Sequence, residues 1–281
     1  MKENGSLTFG FSPCPNDTYI FYALAHGKLD SPDVKFQVDL QDVETLNLRA
    51  RDVFYDLTKI SIHAICHVFR DYVLLNSGGA MGKGCGPLVI SGNDIAPHKL
   101  HDIPVAIPGK YTTANLLFQI FTDGNPNVVA MPYDTIMEKV ARGEIPAGVI
   151  IHEGRFTYHL YGLKKVIDLG EWWEEKYSLP LPLGGILMKR TLGNQLHSLA
   201  EALIRESLLY SRRHEEEVWQ YVKEHAQEMS DDVIKQHIDL YVNEYSEHFG
   251  ESGRKAIFTL LELGTGQGFL PEVTENIFWD Q

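Results

Sequence analysis

Cysteine is scarce in this chain: there are three, at Cys14, Cys66 and Cys85. An odd number at wide spacing makes neither a disulfide framework nor a Cys-x-x-Cys metal knuckle. The expected setting is a reducing one, the cytosol. No apolar run approaches the roughly 20 residues that span a bilayer. Met1-Lys2-Glu3-Asn4-Gly5 is not a basic stretch leading into an apolar one, so no signal peptide is expected. Positive charge is in short supply, with 25 Lys and Arg against 38 Asp and Glu, a net charge of −13. Such a chain repels phosphate backbones and anionic lipid, which argues against nucleic acid and membrane as partners. What is present is ordinary for a globular protein: 281 residues, 44% hydrophobic and 22% charged. That is enough for one large domain or two medium ones.

Two similar units organise the first half. Leu7 to Phe11 reads as a strand and runs into Ser12-Pro13-Cys14-Pro15-Asn16-Asp17-Thr18. The prolines stop the strand, and Asn16, Asp17 and Thr18 are all N-cap types ahead of an apolar-aromatic run. Val105 to Ile107 reads as a second such strand, followed by the turn Pro108-Gly109-Lys110-Tyr111-Thr112-Thr113 and a helix from Ala114 to Phe121. Thr112 or Thr113 would cap that helix. If the two units face each other from two lobes, helix N-termini line both walls of a cleft, which suits a small carboxylate. The alternative is two well-capped helices with no ligand.

The lobe boundaries follow from composition. Ser91-Gly92-Asn93-Asp94 opens the second lobe, and the Pro/Gly-rich stretch from Leu179 to Gly185 reads as a connection back to the first. Residues 1–93 with 185–281 then form the larger lobe and 94–184 the smaller. Beyond 185 the pattern is helical, with Leu196, Leu199, Leu203 and Leu208 on one face and Val233, His237, Ile238 and Tyr241 on another. Glu215-Glu216-Glu217 reads as a solvated helix face. The glycine-rich run from Ser77 to Pro87 leads into a strand, so it is neither a Walker loop nor a dinucleotide fingerprint. It reads as a flexible connection or a close approach to ligand. His63 and His67 share a helical face but lack the carboxylate of a His-Glu-x-x-His site, and read as packing or surface histidines. The pair Trp172-Trp173 reads as wall packing.

Chemistry concentrates where Ala147 to Ile151, a short buried strand, breaks into His152-Glu153-Gly154-Arg155. A buried strand fixes the backbone while the side chains beyond its end emerge into a crevice. Histidine exchanges a proton near neutral pH without help, so His152 is the candidate general base. A loop histidine beside an ion pair is the plainer reading of the same residues. Glu153 is expected to pair with Arg155.

Taken together, the Ser-Pro-Cys-Pro-Asn-Asp-Thr string at 12–18, Leu57-Thr58-Lys59-Ile60-Ser61, Pro108 to Ala114, His152-Glu153-Gly154-Arg155-Phe156-Thr157-Tyr158 and Asp168-Leu169-Gly170-Glu171-Trp172-Trp173 resemble the 1,4-dihydroxy-6-naphthoate synthase family of the futalosine route to menaquinone. The resemblance runs from about residue 7 to about residue 190, with a weaker helical tail. It implies an α/β fold of the type II periplasmic-binding-protein kind: two lobes, a central cleft and a helical C-terminal region. It implies His152 as catalytic base, and substrate contacts from Lys59, Ile60, Ser61, Thr113 and Ala114, beside Asn16 and Asp17 from the first turn-helix unit. It implies a lyase acting on cyclic dehypoxanthine futalosine, with no metal and no organic cofactor. Ile62 departs from the aromatic residue expected after the Thr-Lys-x-Ser string, so the side chains of that wall differ. Competing readings are a small-anion binding protein of the same fold and the sister chorismate dehydratase of the same pathway. The expected partner is a small-molecule carboxylate; the sequence leaves a homodimer open.

Overall fold

The computed structural model describes residues 6–29, 34–124, 126–226 and 230–280. Its chain begins with β1 (Ser6–Phe11), α1 (Pro15–Ala25), β2 (Lys35–Leu40), α2 (Val43–Arg51) and β3 (Leu57–Ser61), then β4 (Tyr72–Leu74) and β5 (Ala80–Gly82). Strands β1, β2 and β3 pair in parallel, as strand–helix–strand units require. A second set follows: β6 (Leu88–Ser91), β7 (Val105–Ile107), α3 (Thr113–Thr122), β8 (Val128–Ala130), α4 (Ile136–Ala141), β9 (Ala147–Ile150), α5 (Gly154–Thr157), β10 (Lys164–Asp168) and α6 (Leu169–Tyr177). These strands form their own five-stranded sheet in the order β10-β6-β9-β7-β8.

The chain then returns through β11 (Leu181–Lys189) to the first sheet, whose order is β2-β1-β3-β11-β4, with β5 also on β11. This corrects the sequence reading of Leu179 to Gly185 as a mere connection. Pro182 and two glycines sit inside a strand that is buried from Leu181 through Met188. The pairing of β11 with β5 shifts register between Pro182 and Gly184, an irregularity that accommodates the proline. Gly184 is needed there, because a Cβ would come within 2.9 Å of the Ile60 carbonyl oxygen and 3.2 Å of Lys59 Cε. Because β6 already pairs in the second sheet and β11 in the first, both passages between sheets fall a few residues before 93/94 and 184/185.

Five helices complete the chain: α7 (Asn194–Arg213), α8 (Glu215–His225), α9 (Asp231–Tyr241), α10 (Glu244–Glu247) and α11 (Gly250–Gly266). The last extends through Gly264-Thr265-Gly266; Gly264 is buried against Leu270, where a Cβ would come within 2.6 Å. One apolar core joins Phe9, Phe11, Ile20 and Phe21 to Ile204, Leu208, Val218 and Ile234 from α7, α8 and α9. A second runs through both sheets, from Ile60 and Leu187 to Val105, Leu116, Leu117 and Trp173. Shared burial of this kind holds the lobes in register. Trp173 is fully buried with its indole N–H on the Pro180 carbonyl at 3.1 Å, and Trp172 packs edge-on against Phe121, so the pair is wall packing.

Candidate active site

The C-terminal ends of β1, β3, β7 and β9 converge on a cleft of about 630 Å³. Its walls come from both lobes: Ser12 to Asp17, Asp42 to Thr45 and Lys59 to Ser61 on one side, Thr112 to Ala114, Tyr133 and Ile151 to Glu153 on the other. Every site residue named from the sequence lines it: Asn16, Asp17, Lys59, Ile60, Ser61, Thr113, Ala114 and His152.

The floor is a buried ion pair. Lys59 Nζ donates to Asp17 Oδ1 at 2.8 Å and to the Gly78 carbonyl at 3.0 Å. Asp17 Oδ2 accepts from the Ser12 amide at 3.2 Å and the Ser12 hydroxyl at 2.7 Å, and its Oδ1 also accepts from Asn16 Nδ2 at 2.8 Å. The helix begins one turn earlier than the N-cap types suggested, at Pro15 with Cys14 as its cap residue. Asp17 therefore sits inside the first turn, where its charge complements the helix dipole. Both its oxygens are committed, and the anion position at α1 is filled by the chain itself.

The opposite wall differs. Thr112 caps α3, its hydroxyl oxygen accepting from the Asn115 amide at 3.2 Å. The Thr113 hydroxyl is spent on the Leu183 carbonyl of β11 at 2.6 Å, and His63 Nδ1 reaches the Thr112 carbonyl at 3.0 Å. The first-turn N–H groups of Thr113 and Ala114 carry no hydrogen bond among the described residues. They are free donors at a helix N-terminus, suited to a carboxylate. Ser61 lines the same cleft: its Oγ accepts from Asn47 Nδ2 at 3.1 Å, which leaves its own proton to donate.

His152 follows β9 by two residues with φ +56°, a left-handed conformation a β-carbon rarely adopts. Its ring lies 13° from parallel to that of His237 at 5.4 Å, and Tyr241 and Tyr133 pack beside it. Nδ1 is buried without a hydrogen-bond partner among the described residues. Burial pushes the His152 pKa down to about 4; Asp17 pulls it up and Lys59 adds to the depression. The ring is thus neutral at pH 7, with a lone pair ready to take a proton. Cys14 also lines the cleft, but burial raises its thiol far out of the thiolate range, with Glu153 and Asp17 adding to the rise. Cys85 is buried with its pKa pushed up to about 12, again mainly by burial.

The expected Glu153–Arg155 pair is corrected by the structure. Arg155 pairs with Asp168 at 2.8 Å and donates to the Gly86 carbonyl. Asp168 Oδ1 meanwhile caps α6, accepting from the Gly170 and Glu171 amides. Glu153 turns the other way, toward His237 Nδ1 at 3.6 Å. Sequence reasoning placed His237 on a helix face and saw no role for it. Its only signal was a histidine inside an apolar helical stripe, and tertiary placement alone brings it under His152. His63 and His67 pack with Tyr111 and gather no metal-ligand group; no such cluster occurs among the described residues. No helix among them is long and apolar enough to cross a membrane.

Comparison with known proteins agrees with this geometry. A family model described as menaquinone biosynthesis matches residues 7–265. A 1,4-dihydroxy-6-naphtoate synthase of Thermus thermophilus is 47% identical over 273 residues, covering 97% of this chain and 99% of that protein. The protein of the same name from Streptomyces coelicolor is 42% identical, covering 95% of each. A crystal structure of an Archaeoglobus fulgidus protein superposes with a TM-score of 0.89 at 34% identity, covering 95% of this chain and 100% of that one. The alkanesulfonate-binding protein of Xanthomonas axonopodis pv. citri, at 12% identity and a TM-score of 0.71 over 97% of this chain and 96% of its own, shares the fold alone. Two lobes of periplasmic-binding-protein type, a neutral histidine beyond the end of a buried strand and relatives that match almost end to end lead to one statement: this chain belongs to the menaquinone biosynthesis family.

Proposed function

We propose that this protein is a 1,4-dihydroxy-6-naphthoate synthase, a carbon–carbon lyase acting on cyclic dehypoxanthine futalosine. The observation that carries the reading is His152: a neutral imidazole at the wall of a two-lobed cleft that also holds the free amide donors of Thr113 and Ala114 and the hydroxyl of Ser61. The substrate's carboxylate sits on those donors. His152 removes a proton activated by a neighbouring carbonyl, the bond to the ribose-derived fragment breaks, and the ring aromatises. Aromatisation supplies the driving force, so the protein contributes position, a base and exclusion of bulk water. The reaction as written is redox-neutral and draws on no cofactor. Lys59, held by Asp17 and the Gly78 carbonyl, has a third proton with which to stabilise negative charge developing on a substrate oxygen.

The test is direct. Purified protein is incubated with cyclic dehypoxanthine futalosine, with nothing added, and product is followed by absorbance and mass. Wild type forms 1,4-dihydroxy-6-naphthoate. His152→Ala loses turnover by at least about 100-fold while the protein stays folded by circular dichroism, since Nδ1 makes no hydrogen bond among the described residues. Near-normal turnover in that variant removes His152 from the chemistry. No product from wild type, with a thermal shift on adding the compound, makes the protein a binder.

A further inference from the structure

A histidine base is ordinarily aimed by a hydrogen bond from its second nitrogen to a carboxylate or carbonyl. His152 has no such partner: Nδ1 is buried and unpartnered among the described residues. We propose that His237 is the positioning residue for this base, and that it acts by stacking, its imidazole holding the plane of the His152 ring from across the lobe boundary. This inference rests on the reading of His152 as the base.

The ring of His237 is itself fixed, by full burial and by one hydrogen bond. It is fully buried on α9 of the larger lobe. Asn16 Nδ2 donates to the Asp17 carboxylate, so Asn16 must present its oxygen to His237, whose Nε2 lies 2.9 Å away and therefore carries the proton. On the other edge, Glu153 Oε2 lies 3.6 Å from Nδ1, beyond hydrogen-bond reach. The ring is thus pinned to the Asp17–Lys59 floor through Asn16. A ring so held has one face on the His152 imidazole, 13° from parallel. The left-handed backbone of His152 is what lays its ring on that face. The stack spans the two lobes, so the base is aimed only when α9 and the β9 turn are in contact.

Two variants separate the ring from its anchor. His237→Gln keeps an amide donor toward Asn16 but has no ring. His237→Phe keeps a flat ring but no donor. Each is assayed for kcat and KM, and the His152 ring is titrated by nitrogen NMR in the intact protein without substrate. Stacking predicts that His237→Gln loses about 10- to 100-fold in kcat with KM within about threefold, and that His237→Phe stays within about threefold of wild type. It also predicts that the His152 titration moves toward the ordinary histidine range in His237→Gln, as water reaches Nδ1, and stays low in His237→Phe. Both variants keep the other titratable groups around His152, namely Asp17, Lys59, Cys14, Tyr133, Glu153 and Tyr241, of which Glu153 also faces the replaced ring. The reverse order of kcat, or an equal loss in both variants with the His152 titration unmoved, overturns the proposal and leaves His237 as an anchor for Asn16. Should wild type show no turnover, the activity reading fails, and the titration alone decides whether the stack sets the state of His152.

Discussion

At the scale of single residues, the protonation state of His152 makes a prediction about pH. A general base works only while unprotonated. Its ordinary pKa is near 6.5, and burial lowers it to about 4. Lowering widens the range in which it is competent, so the acid limb moves to lower pH. For the free enzyme, kcat/KM should hold level from pH 7 down through about pH 5.5 and fall only as pH approaches the lowered value. A limb centred near 6.5 would mean that the ring is solvated in the working enzyme. The limb of kcat belongs to the complex; a bound carboxylate in the same cleft favours the imidazolium and moves that limb upward. The two profiles should therefore separate, with kcat falling first as pH drops.

At the scale of elements, the lobes meet through one face of α2. Glu44, Asn47 and Arg51 are spaced three and four apart, which places them along one side of the helix. All three grip the turn before α3 in the opposite lobe: Glu44 accepts from the Tyr111 amide at 3.1 Å, Asn47 Nδ2 reaches the Tyr111 carbonyl at 3.3 Å, and Arg51 lies over the Tyr111 ring at 4.6 Å. Gly109 makes room for this, because a Cβ there would come within 2.5 Å of the Glu44 carboxyl carbon. Gly109→Ala should displace Glu44 and loosen the clasp. The expected result is a rise in KM of roughly three- to tenfold, equivalent to about 0.7–1.4 kcal/mol of lost closure, with a larger radius of gyration by X-ray scattering. An unchanged KM and an unchanged scattering profile would show that the clasp does not set closure. The clasp also marks the limit of what the sequence discloses. The cap at Thr112, the strand before His152 and the packing of Trp173 were legible, because each is local and follows from patterning or capping chemistry. The strand at Leu181–Lys189 was not: Pro182 and two glycines read as a break, and only pairing with β3, β4 and β5 makes a strand of it. Partner choice was equally hidden. Arg155 had an acid two residues away and took Asp168, thirteen residues on, because β10 brings that carboxylate alongside.

At the scale of the whole molecule, the histidines decide how the fold responds to acid. His63, His152 and His237 all lie at the contact between lobes or beside it, and burial lowers the pKa of each: to about 4 for His63 and His152, and well below the usual range for His237. His67 and His197 are lowered too, again chiefly by burial. In the unfolded chain these rings take up protons near pH 6.5, while in the native protein they remain neutral. Between about pH 6.5 and 4 the unfolded state thus binds more protons, and stability must fall as pH falls. Glu44 works in the opposite direction, since burial raises its carboxyl and its protonation eases that strain. It is one group against five. Each fully depressed histidine contributes roughly 1 kcal/mol per pH unit across the window, so two or three suffice to remove much of the margin of an ordinary domain. The loss should not be uniform. His63 binds the Thr112 carbonyl across the cleft, and the His152–His237 stack crosses it as well. Protonation at either place puts charge into the lobe contact, whereas the apolar core of Phe9, Ile20, Ile204 and Val218 contains no such ring. Calorimetry and scattering between pH 7.5 and 4.5 should show the cleft opening at a higher pH than that at which helical circular dichroism is lost. A thermal midpoint that stays constant from pH 7.5 to 5 would mean that the rings are protonated equally in both states, and that the lobe contact is held by Glu44, Asn47 and the shared apolar core without the histidines.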